Sequence, residues 1–361
     1  MFDKNRADNI PKRVECLALG TKIKRYNMKF ETRILTVLLC AAFALTACNK
    51  NTITPEGPTL PSVGFRTMSQ ATWVKSATGE FPYPDQGFGV WGIARNPQAQ
   101  TPYVLWDSFT QVRKVTGSDV YAPVTNAYWV KDYTYNFLAV APYNDAGFTL
   151  TGVTQKTSTE NDKLTFAYDV SSKYAAGNHT FDLLGAAAQN TIDVGGYSTA
   201  QDLIFWHLFS QVSISATFSD CDAEGNNAVT RYVLKNVDTQ TTYSLSYDAY
   251  GNLTVTCSSN GETAQMDLAK SATTAVFYLI PQDMSDIELY VDFTVTKDGK
   301  QLTAENVMID VSTALDGKTY EYNQRYNWKL NITPKFITFD SEITVEEWDT
   351  VTGDSNPSID L

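Results

Sequence analysis

The feature that most constrains this chain is a succession of short runs in which apolar and polar residues alternate between turn residues. A period of two places alternate side chains on opposite faces, which is typical of a half-buried strand. No helical period persists over 12 residues. The sequence therefore predicts an all-β fold. The clearest runs span residues 211–218, 241–257, 275–281, 287–302 and 326–333.

Two of these runs contain their own reversal. Within 241–257, tyrosine and leucine alternate with serine up to Tyr247, a turn follows near Gly251, and the alternation resumes at Leu253. Within 287–302, Asp298-Gly299 lies between two strand patterns, and Asp-Gly is among the strongest short-range hairpin signals. We therefore predict a β-hairpin in each run.

The strand pattern extends over about 290 residues, which is more than one sandwich domain usually holds. We therefore expect two β-sandwich domains, residues 63–198 and residues 199–361, the second ending in a polar tail. Pro-, Gly- and Asn-rich loops are expected at 79–89 and 142–163.

The N-terminus carries an export pattern. The apolar run 34–47 has 14 residues and follows Lys29 and Arg33. As a helix it would cover about 20 Å, whereas a bilayer core is about 30 Å thick. The sequence "LTAC" ending at Cys48 is similar to a bacterial lipobox, in which the cysteine is lipidated. We predict a lipoprotein signal at 28–47 and a tether at 48–62, against the alternatives of an ordinary signal peptide or a buried apolar segment. Residues 1–27 are interpreted as a mis-called start or a non-native extension.

The exported part is acidic. Residues 48–361 hold 19 Lys/Arg and 36 Asp/Glu, a net charge of −17, which disfavours nucleic acid as a partner. Two cysteines follow Cys48. Cys221 and Cys257 are compatible with one disulfide in an oxidising compartment or with two lone thiols.

No motif for catalysis, metal or cofactor binding is present. His207 lies among aromatic residues and His179 in a predicted loop, neither within a nucleophile motif. The acidic loop 220–227 departs from the EF-hand spacing, so a solvated hairpin loop is the simpler interpretation. We expect neither an enzyme nor a bound cofactor or metal.

Several segments together resemble the fimbrillin family, the type V pilus subunits and related surface lipoproteins of gut and oral Bacteroidales. The resemblance extends from about Val63 to Trp348 and rests on segments 87–92, 182–188, 203–214, 276–282, 326–333 and 337–348. It implies two transthyretin-like β-sandwich domains in tandem.

The resemblance further implies assembly of a pilus or fimbrium by strand exchange. A protease would cut after Arg66, with Lys75 and Arg95 as weaker candidates, and remove a first strand whose Val63 and Phe65 face inward. A strand from the next subunit would fill the groove. The candidate donor side chains lie near the C-terminus, at Ile337, Phe339, Ile343 and Val345. The expected partners are other pilus subunits, a surface receptor or glycan, and the outer membrane through the lipid.

A different function class remains open at this stage. Segments 81–92 and 126–137 are dense in Trp and Tyr, and aromatic rings on β-sandwiches stack on sugars. A glycan-binding outer-membrane lipoprotein of a nutrient-uptake system is therefore the alternative. The competing interpretation, which we favour, places most of these rings in the core.

Overall fold

The computed structural model describes residues 61–69, 81–96, 98, 102–106, 108–156, 161–191, 200–269, 273–335, 337–339 and 343–347. The regular secondary structure of these residues is almost entirely strand, so the predicted all-β class is confirmed. The predicted signal, Cys48, most of the tether, the 198/199 boundary and the polar tail lie outside the described residues.

The first half of the described chain contains ten strands and one short helix. In chain order they are β1 (Phe65–Ser69), β2 (Phe88–Arg95), β3 (Tyr103–Val104), β4 (Thr110–Lys114), β5 (Tyr121–Pro123), β6 (Thr134–Ala141), β7 (Phe148–Thr154), β8 (Lys163–Asp169), α1 (Ser171–Ala175), β9 (Leu184–Thr191) and β10 (Gln201–His207).

The second half contains eleven strands and a helix of one turn. They are β11 (Ser210–Phe218), β12 (Ala228–Asp238), β13 (Gln240–Tyr247), β14 (Leu253–Ser259), β15 (Thr263–Leu268), β16 (Thr274–Leu279), β17 (Glu288–Lys297), β18 (Lys300–Ile309), α2 (Ser312–Leu315), β19 (Gln324–Ile332), β20 (Ile337–Phe339) and β21 (Thr344–Glu347).

Seven strands of the first half form a closed hydrogen-bonded ring. The order is β2-β4-β5-β1-β10-β9-β6, and β6 pairs again with β2 along residues 89–95. The two-residue strand β3 extends the other edge of β2 beyond β4. Closure satisfies backbone groups that an open sheet would expose at its edges. We refer to these seven strands as the ring.

The ring encloses a core dominated by aromatic side chains. Alternate residues of β2 and β6 point inward, while the intervening residues pack outward into a second core. Because both faces of these strands are covered, they contain continuous apolar runs instead of alternation. The large inward side chains include Phe65, Phe81, Phe88, Tyr121, Trp129, Tyr135, Phe137 and Phe205.

Three further sheets share the second core. Their strand orders are β16-β11-β19-β20, with β21 also on β19, then β15-β12-β17-β18, and β14-β13-β8-β7. The side chains that are 0% exposed in this cluster include Val212, Tyr232, Tyr243, Phe277 and Trp328. The outward faces of β2 and β6 contribute Trp91 and Leu138 to the same cluster.

Both predicted hairpins are confirmed. Strand β13 pairs with β14 from Thr241↔Ser259 to Tyr247↔Leu253. Strand β17 pairs with β18 up to Lys297↔Lys300, and the intervening Asp298 and Gly299 have φ values of 50° and 72°. Two positive φ values in a two-residue turn match the right-handed twist of the flanking strands.

The prediction of a loop at 142–163 is wrong for the middle of that range. It contains β7, which pairs with β8 from Phe148↔Tyr168 to Thr154↔Lys163. Gly152 lies at an irregularity in this pairing, which interrupts the alternation of apolar and polar residues, so the sequence pattern did not indicate this edge strand. The helix α1 also went unpredicted, because five residues are too few to show a helical period.

The division into two domains stays a prediction. Strands β7 and β8 belong to the first expected domain, yet they form one sheet with β13 and β14 of the second. Strand β10 follows the expected boundary, yet it completes the ring between β1 and β9. Sheet pairing therefore crosses the expected boundary in both directions.

Candidate functional site

The site suggested by the sequence is the N-terminal segment of the ring, residues 61–69, which we call the closing strand. Its first residues pair antiparallel with 127–129. The backbone N–H of Trp129 donates to the carbonyl of Pro61 over 3.0 Å, and that of Val63 donates to Ala127 over 2.8 Å. These bonds join the closing strand, on one side, to the segment between β5 and β6.

On its other side the closing strand pairs parallel with β10. The N–H of Gln201 donates to the carbonyl of Gly64 over 2.8 Å, and the register runs from Phe65↔Gln201 to Ser69↔Phe205. By contrast, β5 pairs with β1 only at Phe65↔Tyr121. Among the described residues, 66–69 thus have a strand partner on one side only.

The closing strand fills the ring with two apolar side chains. Val63 is 1% exposed and Phe65 is 0% exposed. The Phe65 ring contacts Phe88 and Phe137 edge to face, with centroids 5.8 Å and 5.1 Å away. Burial of two such side chains contributes about 2 kcal/mol each. Removing the segment would expose an apolar groove flanked by unpaired backbone groups.

Arg66, the predicted cut site, lies on the outer surface. Its Nε is 3.0 Å from an Asp202 carboxylate oxygen, and both side chains are about half exposed, at 47% and 48%. Such an exposed ion pair contributes about 0–1 kcal/mol. The peptide bond after Arg66 lies within the pairing with β10, so a protease reaches it only after local opening.

The weaker cut-site candidates differ in their surroundings. Arg95 ends β2 and holds the buried carboxylate of Asp162 with both guanidinium branches. Releasing Arg95 to a protease would break that pair, which argues against it as a cut site. Lys75 lies outside the described residues.

The candidate donor side chains lie on the last two strands. β20 and β21 follow one another along the same edge of β19, with three and four residue pairs. Ile337, Phe339 and Ile343 are half-buried against the second core, and Val345 is 54% exposed. The Phe339 ring lies 5.5 Å from that of Trp328.

The two tryptophans of the aromatic segments are buried, so they do not form the sugar platform that the glycan-binding alternative assigns to them. Trp91 is 2% exposed and Trp129 is 0% exposed. Trp91, on β2, packs into the second core, and Trp129, in the segment between β5 and β6, packs into the core of the ring. Neither tryptophan can stack on a ligand, so assigning them to such a platform is wrong, and the core interpretation is confirmed for these two.

The structure also contains an ionic network that the sequence did not suggest. Asp162 is completely buried immediately before β8, where Arg95, Asn136, Tyr247 and the backbone N–H of Lys156 donate to its carboxylate. Burial alone would raise the pKa of Asp162, but the hydrogen bonds from Arg95 and Tyr247 outweigh it and hold the pKa below its usual value. This network, the Asp162 network, fastens β2 and β6 of the ring to β13.

The two histidines have structural partners. The Nδ1 of His207 lies 2.6 Å from the Asp182 carboxylate, and the Nε2 of His179 lies 2.7 Å from the carbonyl of Asp267. His179 lies in the loop between α1 and β9, as predicted, and is buried. Neither contact involves a serine or cysteine nucleophile.

Cys221 and Cys257 are free thiols, so the disulfide alternative is wrong for this structure. In the acidic loop 220–227, Asp220 pairs with Lys297, and Asp222 accepts backbone N–H bonds from Asp298 and Gly299. The described residues contain no group of three or more side chains suited to a metal ion. This loop therefore supports the adjacent β17–β18 turn.

Comparison with known proteins decides the family. The sequence model described as Fimbrillin-like matches residues 84–348. The chain belongs to the fimbrillin-like family. No curated protein sequence matches it significantly.

Solved structures similar to this fimbrillin-like chain include a fimbrial protein from Bacteroides vulgatus. It is 15% identical, with a TM-score of 0.50, and the match covers 80% of this chain and 99% of that one. The fimbrial anchor protein Mfa2 from Porphyromonas gingivalis is 12% identical over 80% of this chain and 97% of that one, with a TM-score of 0.34. The tip fimbrial protein Mfa3 from the same organism is 10% identical over 80% and 98%, with a TM-score of 0.36.

The family match and the candidate site overlap only in part. The match begins at residue 84, so the closing strand and Arg66 precede it, whereas Ile337, Phe339, Ile343 and Val345 lie inside it. The fimbrillin-like assignment therefore rests on residues 84–348 and not on the closing strand. Within the described residues, no helix has the length and apolar character needed to cross a membrane.

Proposed function

We propose that this fimbrillin-like chain is a non-enzymatic subunit of a bacterial surface pilus, or a related adhesin, that assembles by donor-strand exchange. It is exported as an outer-membrane lipoprotein attached through Cys48. A protease cuts after Arg66, the segment ending there leaves the ring, and a strand of another subunit takes its place. Family membership and a solved fimbrial protein of similar fold support the general role.

The observation that carries the proposal is the position of the closing strand. It is the first described strand, it completes a ring of otherwise continuous pairing, and it inserts Val63 and Phe65 into the core. Because the closing strand precedes every other strand of the ring, one cut after Arg66 frees it without a break between the other strands. The groove it leaves offers backbone groups for strength and alternate pockets for register, as strand addition requires.

The closing strand also explains how an unprocessed subunit avoids premature assembly. While residues 61–66 remain, they occupy the groove and are held there by hydrogen bonds to 127–129 and β10. An incoming strand would have to compete with a segment tethered to the same chain, whose effective concentration is high. Proteolysis removes the tether, and the released peptide then dissociates into dilute solution.

The names of the similar solved proteins describe an anchor and a tip of fimbriae. We place this chain in the same kind of assembly, with other pilus subunits as partners and a surface receptor or glycan as a further partner.

Limited trypsin digestion of the purified chain tests the proposal. The wild type is expected to lose the segment before Thr67 and to form a ladder of SDS-resistant multimers on gels. Arg66→Gln is expected to abolish both results. Arg113→Gln is the matched control, because Arg113 is also exposed on a ring strand, and it should behave as wild type. A ladder from Arg66→Gln, or cutting after Arg66 without any ladder, would overturn the proposal.

A further inference from the structure

Residues 124–133, which join β5 to β6, pack against the end of the ring where β6 begins. At the centre of this segment, Trp129 is 0% exposed and meets Tyr135 edge to face, with ring centroids 4.7 Å apart. The backbone N–H of Val130 donates to the Tyr135 hydroxyl over 2.5 Å. These contacts hold the segment in one conformation, so its outward side chains are presented with little entropy left to lose on binding.

The two neighbours of Trp129 point away from the ring core. Tyr128 forms a bridge to Ser62 of the closing strand, so the backbone is extended at this point. Successive side chains of an extended segment lie on opposite faces. Because Trp129 points into the core, Tyr128 and Val130 face outward, and they are 48% and 39% exposed.

Tyr103 lies at the same end of the ring. It pairs with Ala94 of β2, and Ala94 pairs with Tyr135 of β6, so the three residues form one row across three strands. Tyr103 is nevertheless 63% exposed, since β3 has two residues and only β2 as a strand partner among the described residues. Burial raises the pKa of Tyr135, and the nearby phenols of Tyr133 and Tyr103 raise it further, which agrees with their proximity.

Tyr103, Tyr128, Val130 and the partly buried Tyr133 form a surface that we call the tyrosine patch. A fully exposed aromatic side chain presents about 150–250 Å², so the exposed fractions in the patch amount to about 300 Å². A stable protein interface needs about 800 Å² from each partner. The patch is therefore too small for a protein partner and fits a small rigid ligand.

The chemistry of the patch favours a carbohydrate. The face of a tyrosine ring carries negative charge density, which attracts the polarised C–H bonds on one side of a pyranose ring. The tyrosine hydroxyl both donates and accepts hydrogen bonds, as sugar hydroxyls do. The exposed Lys131 and Asp132 follow Val130 and together add no net charge. Because the exported part of the chain is acidic, a neutral sugar is favoured over an acidic one.

We propose that the tyrosine patch binds a neutral hexopyranose of a polysaccharide, with the rings of Tyr103 and Tyr128 stacked on the sugar. This inference rests on the proposed function, in which a surface glycan is a further partner, and it gives that partner a site. Trp129 is buried beneath the patch and does not contact the sugar.

Native affinity electrophoresis of the uncut chain tests this site. The gels contain mannan, galactan or laminarin, and retardation at several polysaccharide concentrations gives a dissociation constant. We expect at least one of these polysaccharides to retard the wild type. Tyr103→Ala and Tyr128→Ala should each raise the dissociation constant about tenfold, because each removes a stacked ring. Tyr103→Phe keeps the ring and should bind almost as tightly as the wild type.

Met308→Ala is the matched control. Met308 is similarly exposed, at 58%, but lies on β18, outside the ring. This variant should be retarded like the wild type. All four variants should keep the wild-type melting temperature, because substitution of exposed side chains changes stability little.

Four results would overturn the proposed site. The wild type would pass unretarded through all three polysaccharide gels, or both alanine variants would bind like the wild type, or Tyr103→Phe would bind as weakly as Tyr103→Ala. The fourth is a dimer of the uncut chain in size-exclusion chromatography that Tyr103→Ala disrupts, which would assign the patch to contact between copies. Strand exchange is measured only after trypsin, so failure of the sugar site and failure of the proposed assembly are separate results.

Discussion

Replacing Asp162 with asparagine should destabilise the protein more than the loss of any surface charge. The carboxylate is 0% exposed and lies against a guanidinium that is 22% exposed. The Asn136 amide donates to it over 3.0 Å and the Lys156 backbone N–H over 2.7 Å. An asparagine side chain removes the negative charge and turns one acceptor into a donor, so Arg95 and Asn136 lose an ionised partner.

The size of the effect follows from this burial. Removing one partner of a buried ion pair costs about 3–5 kcal/mol. The lower end applies, because the partly exposed Arg95 can recover some hydration. With an unfolding entropy of about 2 cal/mol/K per residue, a loss of about 3 kcal/mol lowers the melting temperature of a chain this long by about 4 °C.

Thermal melting followed by far-ultraviolet circular dichroism measures this change. Asp220→Asn is the control, because Asp220 also forms an ion pair, with Lys297, but its side chain is 64% exposed. The control should melt with the wild type. If Asp162→Asn melted with the wild type too, the Asp162 network would not hold the ring to β13, and the reasoning would be refuted.

Three further predictions follow from the same structure. The pKa of Asp162 is held below its usual value, so its carboxylate stabilises the fold above the unfolded carboxyl pKa of about 3.9, and this effect is lost as the pH falls through the folded pKa. In a series of thermal melts at different pH, the melting temperature of the wild type should therefore fall more steeply below about pH 4 than that of Asp162→Asn. Trp129→Ala should cost about 3–5 kcal/mol in denaturant unfolding, since the side chain is 0% exposed; unchanged stability with lost retention on a polysaccharide gel would instead favour glycan binding. Asp202→Asn should increase multimer yield after trypsin, because it removes the ion pair that holds Arg66 against β10 and so loosens the closing strand; a lower yield on densitometry would argue against exchange of that strand.

Local patterns in the sequence were sufficient for the strands that pair with near neighbours. Alternation and turn residues predicted β13–β14 and β17–β18 because each hairpin is specified within about 20 residues. They failed at β7, where a bulge at Gly152 interrupts the alternation of an exposed edge strand. They also gave no sign of α1, which is a single short turn of helix.

Long-range features could not be predicted from local patterns. The parallel pairing of β1 with β10 joins residues 65–69 to residues 201–205, and alternation in either strand does not specify the other. The Asp162 network gathers side chains from 95 to 247, and each of them alone is typical of a surface. Buried polar residues are informative only once their neighbours are known.

The candidate site was predicted in part. Alternation predicts that Val63 and Phe65 share a face, and the structure places both in the ring core. The pairing of Arg66 with Asp202 depends on the strand register, which the sequence did not provide. The resemblance suggested two donor segments. Alternation does not choose between them, because both segments alternate.

The most direct test of the account is native mass spectrometry of the trypsin-treated chain, because it weighs the closing segment in each species. The account predicts that the segment ending at Arg66 is present in the mass of monomers that remain uncut and missing from the processed chains in the multimers. Multimers that retain one peptide per subunit would contradict strand exchange in the ring.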